Sequence, residues 1–192
     1  MKLIFATHNP NKVIELKKQL PSSIALSDLL ELGFNEEIPE TENTLEGNAI
    51  LKASHIYDKT GNDVFADDTG LEIEALNGEP GVFSARYAGN NKNATDNIKK
   101  VLKNMEGVTN RKAQFRTVFA LIIAGKLQLL EGVIKGSILK QPQGDNGFGY
   151  DPIFCPNGYT QSFAEISLDE KSKISHRGIA TQKLVAFLKN QT

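Results

Sequence analysis

The chain of 192 residues has a single cysteine, Cys155. An intrachain disulfide is therefore excluded, and a lone thiol fits a reducing compartment such as the cytoplasm. Long apolar runs are also missing. The longest covers seven residues, 118–124, where a membrane-spanning helix needs about 20. At the amino end only residues 3–6 are apolar before a polar stretch begins, so no secretory leader core is expected. Neither sign of charge is in excess: 22 Lys and Arg face 23 Asp and Glu, a net charge of −1. That balance argues against a protein that coats nucleic acid and against an acidic disordered tail. No repeat, low-complexity tract or linker is visible. At 40% hydrophobic and 23% charged, the composition is that of an ordinary globular protein. One domain over residues 1–192 is expected, with no nucleic-acid or membrane partner.

Local charge is less even. Between Lys18 and Lys52 there is no Lys, Arg or His, while seven acids accumulate, among them Glu36, Glu37, Glu40, Glu42 and Glu46. Residues 168–192 reverse this, with five bases against two acids. Periodicity predicts a strand over 2–6 and a helix over 12–20 with Val13, Leu16 and Leu20 on one face. Thr44 is a fitting cap for a helix through 57, and Gly61 a fitting stop. A short buried strand is expected at 64–66, and helices at 94–105 and 175–188. Residues 113–124 and 127–138 read as long antiparallel strands around a Gly125-Lys126 turn. Such a mixture implies an α/β domain with a central mixed sheet flanked by helices.

Four segments carry chemistry. Thr7-His8-Asn9-Pro10-Asn11-Lys12 follows a strand and opens a helix. Hydroxyl, amide and ammonium donors gather there beside free helical N–H groups, which suits a phosphate as well as a simple turn. It is no Walker A loop, because GxxxxGK[ST] occurs nowhere in the chain. Asp67-Asp68-Thr69-Gly70 sets two carboxylates at the expected end of a strand, a pattern that suits Mg²⁺ or a plain turn. Glu40 can join them only if the fold brings it near. In Gly147-Phe148-Gly149-Tyr150-Asp151 the glycines permit close backbone approach to a ligand, and Phe148 and Tyr150 offer flat faces for a base. Lys171-Ser172-Lys173-Ile174-Ser175-His176-Arg177-Gly178 places cations in a first helical turn, against the helix dipole, with Ser175 as the cap.

In this order the four segments resemble the inosine triphosphate pyrophosphatase family, which hydrolyses non-standard purine nucleoside triphosphates. Asn48-Ala49-x-x-Lys52-Ala53 and Pro80-Gly81-x-x-Ser84-Ala85-Arg86-Tyr87 extend the match, which runs from Thr7 to Arg177. Two departures are visible: His8-Asn9 where bacterial members usually have Gly-Asn, and Gly47 where a Glu commonly precedes Asn-Ala. The resemblance implies a nucleotide site in a cleft between two lobes, Mg²⁺ as cofactor, and a cytoplasmic homodimer. It implies cleavage of ITP, dITP and XTP to the monophosphate and pyrophosphate. Asp68 would be the general base and, with Glu40, a metal ligand. Thr7, His8, Asn9, Pro10, Asn11, Lys12, Lys52 and Thr69 would hold phosphates. Phe148, Gly149, Tyr150 and Asp151 would line the base, which Lys171, His176 and Arg177 would read. Two other classes fit the same residues less well. A nucleotide sensor has no need of a base beside a metal, which the Asp67-Asp68 pair provides. A pyrophosphatase of the septum-inhibitor type, acting on modified pyrimidines, is disfavoured by Ser175-His176-Arg177.

Overall fold

The computed structural model describes residues 1–190; the last two residues of the expected domain lie outside it. Six strands form one sheet in the order β2-β1-β3-β4-β5-β6. They are β1 (Lys2–Phe5), β2 (Ala25–Asp28), β3 (Val64–Ile73), β4 (Lys112–Ile123), β5 (Lys126–Ile138) and β6 (Phe154–Pro156). β1 is parallel to both β2 and β3, whereas β5 and β6 are antiparallel, so the sheet is mixed as expected. Among the described residues five α-helices accompany it: α1 (Pro10–Lys17), α2 (Leu45–Thr60), α3 (Ala94–Asn104), α4 (Leu168–Ile174) and α5 (His176–Lys189).

The chain condenses into two compact units. The first comprises Met1–Asp68, Thr117–Gly132 and Arg177–Thr192; the second comprises Thr69–Arg116 and Val133–His176. In the first unit Phe5 and Phe65 are register partners on β1 and β3, and their rings stack 4.4 Å apart. Val13 and Leu16 of α1 and Ala180, Leu184 and Leu188 of α5 close over them. These spacings of three and four residues set each row on one helical face. The second unit has its own core, built from Leu71 and Ile73 of β3, Ile98 and Val101 of α3, and Phe115, Phe154 and Phe163.

Several expectations shift. The β4–β5 turn is Ala124-Gly125 rather than Gly125-Lys126. Both residues have positive φ, 47° and 76°, the geometry that a two-residue hairpin demands. Ala124 tolerates it with its N–H donated to Asp63 Oδ1 at 3.0 Å. β3 does not stop at Ala66 but runs to Ile73, so Asp67 and Asp68 lie inside a strand. Gly70 is required there, because a Cβ would sit 2.7 Å from the Gly81 carbonyl oxygen. Beyond it the Leu71 N–H donates to Ser84 Oγ at 2.9 Å, and Ser84 Oγ donates to Gly81 O. This explains why Pro80-Gly81-x-x-Ser84 accompanies Thr69-Gly70.

Candidate active site

The first unit assembles the carboxylates. Asn9 caps α1, its Oδ1 accepting the Asn11 N–H at 3.0 Å, with Pro10 in the first turn. Thr7 Oγ1 accepts the Asn9 N–H, so the turn holds its shape through its own side chains. On α2, Thr44 caps the amino end by accepting the Gly47 N–H, and Gly61 closes the other end at φ 63°. A Cβ at Gly47 would meet the Glu42 side chain at 2.7 Å, a reason for glycine at this departure from the family pattern. The capped helix presents Asn48 and Lys52, one turn apart on one face. Asn48 Nδ2 donates to Asp68 Oδ2 at 3.1 Å and its Oδ1 accepts the Glu42 N–H at 3.0 Å. Lys52 Nζ reaches Glu40 Oε1 at 2.6 Å and Asp68 Oδ1 at 3.5 Å. The fold thus brings Glu40 to Asp68, which spacing alone could not decide.

Neighbours on a strand project to opposite sides, and Asp67 and Asp68 take different partners. Asp67, 1% exposed, accepts from Lys12 Nζ at 2.8 Å and lies 3.5 Å from the Arg177 guanidinium. Arg177, itself 2% exposed, also binds Glu15 at 2.5 Å. Arg177 was expected beside the base; its guanidinium lies instead in this buried ion cluster. Burial works against the Asp67 charge, yet Lys12, Arg177 and Lys52 hold its carboxyl well below the usual range. Asp68 is shifted the other way: burial, aided by the Glu40 charge, raises it although Lys52 opposes. For Lys52 burial is outweighed by Asp68, Glu40 and Asp67, and its pKa rises. Lys12 is lowered by burial, helped by Lys52 and Arg177 and opposed by Asp67.

Within the trio of Glu40, Asp68 and Lys52, one ammonium balances only one of two carboxylates. That donor set fits a hard divalent cation, which takes one or two carboxylates and completes its shell with phosphate and water oxygens. Among the described residues no group of three or more His, Cys, Asp and Glu has metal-holding geometry. Lys52 Nζ already occupies the position of a cation between Glu40 and Asp68.

The second unit holds the remaining expected residues. Gly147 and Gly149 have φ of 76° and 63° and turn the chain so that buried Asp151 accepts the Phe148 N–H at 2.8 Å. A Cβ at Gly147 would land on that carboxylate. Lys171, 2% exposed, donates to the same Asp151 oxygen at 2.6 Å, and its ammonium lies over the Phe148 ring at 4.9 Å. Lys171 stands on α4, a helix missed in the sequence, whose cap is Ser167. Ser175, expected to cap a helix, ends α4 immediately before α5 begins at His176. The His176 imidazole stacks on Phe115 at 4.7 Å and 17°. Tyr150 is no free face for a base: its ring belongs to the core and its hydroxyl donates to Ser84 O at 2.8 Å. Thr69, on β3, is part of this unit. His8, in the first unit, directs Nε2 to Phe34 O at 2.7 Å.

From sequence Asn48 enters only through the Asn48-Ala49-x-x-Lys52-Ala53 match, with no role given to it, and Glu15 and Phe115 carry no signal at all. Asn48 lies one turn before Lys52 on a capped helix, a usable signal; Glu15 and Phe115 act through contacts 162 and 61 residues away in sequence, which no local pattern reports.

A capped helix and a buried strand that aim two carboxylates and an ammonium at one point define a class: α/β proteins with a part-buried acidic site closed by a lysine. The sequence model of the Ham1 family matches residues 3–187, and the chain belongs to that family. It is 56% identical over 190 residues to the dITP/XTP pyrophosphatase of Flavobacterium psychrophilum, covering 99% of this chain and 100% of the relative. It is 53% identical to the dITP/XTP pyrophosphatase of Flavobacterium johnsoniae, with 98% of each covered. The Ham1 protein of Staphylococcus aureus superposes with a TM-score of 0.91 at 38% identity over the whole of both chains. A HAM1 protein from Coxiella burnetii gives 0.91 at 39% identity, with 99% of each covered.

Proposed function

We propose that this protein hydrolyses the non-standard purine nucleoside triphosphates ITP, dITP and XTP to the monophosphate and pyrophosphate, removing them from the nucleotide pool. The observation that carries the reading is the convergence of Glu40, Asp68, Asn48 and Lys52, supported by relatives that carry this activity in their names. Asp68 takes the proton of the attacking water. Its burial favours proton acceptance, and Asn48 fixes the carboxylate by donating to Oδ2. Glu40 and Asp68 would hold Mg²⁺, which when bound would neutralise charge on the triphosphate oxygens. Lys52 and Lys12 hold phosphate oxygens, with the Thr7 hydroxyl and the side-chain amides of Asn9 and Asn11 as further donors. The Thr69 hydroxyl adds another.

Phe148 stacks on the purine, and Lys171 and His176 offer donors to its 6-oxo group. A 6-amino group cannot accept those bonds, so ATP leaves buried donors unpaired and is rejected. Arg177 stays among the substrate-binding residues, with its charge committed to Glu15 and Asp67 and its effect exerted at the phosphate end. A homodimer and a cytoplasmic location complete the proposal. The buried free thiol of Cys155 and the absence, among the described residues, of a helix able to cross a membrane are compatible with it.

The test is pyrophosphate release from ITP, XTP, GTP, ATP and dUTP with Mg²⁺. Preference for ITP and XTP is expected, with loss of all activity in excess EDTA. Preference for dUTP, or equal rates on ATP and ITP, overturns it.

A further inference from the structure

The segment that carries Glu40 is held at its ends and borders an open pocket along its middle. At its start Phe34 N–H donates to Leu29 O at 2.9 Å and the Lys59 ammonium lies 5.9 Å from the Phe34 ring centre. At its end Glu42 is held by Asn48 and Glu40 by Lys52. Between them, residues 35–39 line an open pocket of about 580 Å³ with His55, Ile56 and Lys59 of α2. Residues 35, 36, 37 and 39 are exposed, so packing does little to set this stretch. Polar contacts therefore decide where Glu40 sits.

One of those contacts comes from the phosphate loop. His8, half-buried between Thr7 and Asn9, has Nε2 at 2.7 Å from Phe34 O. A carbonyl only accepts, so Nε2 carries a proton and donates. A weaker bond, Leu29 N–H to Thr7 O at 3.4 Å, runs beside it. His8 thus grips Phe34, the start of the pocket-lining stretch, 26 residues away in sequence.

We propose that His8 is a positioning residue: by donating from Nε2 to Phe34 O it ties the phosphate loop to the segment that presents Glu40, so that both are set together. The inference rests on the reading of Glu40 as a metal carboxylate. Here His8 acts on the polypeptide, not on a phosphate oxygen.

Two variants test it. His8→Ala removes the donor, and His8→Gln restores a side-chain N–H of similar reach. Amide hydrogen exchange over residues 35–42 is followed in the protein without nucleotide or metal. A hydrogen bond of ordinary strength corresponds to a change of roughly three- to tenfold. His8→Ala should speed exchange there by that factor, with His8→Gln close to wild type. The Mg²⁺ concentration for half-maximal ITP hydrolysis should rise similarly in His8→Ala, by more than kcat at saturating Mg²⁺ changes. Unchanged exchange in His8→Ala overturns the proposal. So does a fall in kcat with the Mg²⁺ requirement unmoved, which would make His8 a direct substrate contact. If wild type hydrolyses no ITP, the functional reading fails, and the exchange data still decide the tether.

Discussion

Asp68 and Asp67 are adjacent and chemically alike, yet their surroundings give them opposite duties. Asp68 faces one amide and one shared ammonium, and burial leaves it the better proton acceptor. With Asp68 as the proposed base, Asp68→Asn should keep the shape and lower kcat at least ~10²-fold, the low end for general base catalysis. Turnover near wild type at saturating Mg²⁺ would remove Asp68 from that role. Asp67 is a counter-ion. Removing one partner of a buried ion pair strands the other, and Asp67→Asn should cost about 3 kcal/mol in urea unfolding, the low end because Glu15 still holds Arg177. A loss under about 1 kcal/mol would mean that Lys12 and Arg177 find water instead. From sequence the two aspartates read as a pair at a turn. The partners that separate them, Lys12 and Lys52, come from different helices, which is why composition and spacing could not assign them.

At the scale of elements, α2 sets the site by its ends. Its capping Thr44 and terminal Gly61 were legible because capping is local chemistry, and the helix sits close to where those residues put it. Thr44→Ala should lower stability by about 1 kcal/mol, the usual cost of an N-cap, read as a reduced urea midpoint with unchanged slope. No shift would mean that Glu42 and Asn48 hold the helix start unaided. The hairpin of β4 and β5 was legible for the same reason, short of one residue in its turn. β2 was not: four residues, half-exposed and without alternation, carry no strand signal. α4 has seven residues with Lys171 buried on Asp151, and a buried lysine reads as surface until its partner is known. β3 ran past its predicted end because the carboxylates that argue for a turn are neutralised by tertiary contacts.

Over the whole molecule, the residues expected to act on a nucleotide fall into two compact units. Asp68 and Thr69, and likewise His176 and Arg177, are neighbours in sequence assigned to different ones. The motifs disclosed the family because their order spans the chain; they could not disclose which residues serve which unit. In the second unit Tyr150 gives a pH-dependent signature. Burial, with Tyr87 nearby, pushes its hydroxyl well above the ordinary value. An unfolded tyrosine ionises near 10. Above that pH the unfolded chain releases a proton that the folded one keeps, so stability is unaffected below about pH 10 and falls as pH rises beyond it. Tyr150→Phe should be less stable at neutral pH by about 1 kcal/mol, for the lost bond to Ser84 O, and should show a flatter alkaline limb. An equal limb in both proteins would place the proton linkage elsewhere.

The central claim is that this site opens the α–β anhydride of a 6-oxo purine triphosphate. Phosphorus NMR of the products formed from ITP, with ATP run beside it, tests that claim directly. The account predicts inosine monophosphate and pyrophosphate in equal amounts from ITP, with ATP left largely intact over the same time. Inosine diphosphate with inorganic phosphate, or ATP consumed as fast as ITP, would contradict it.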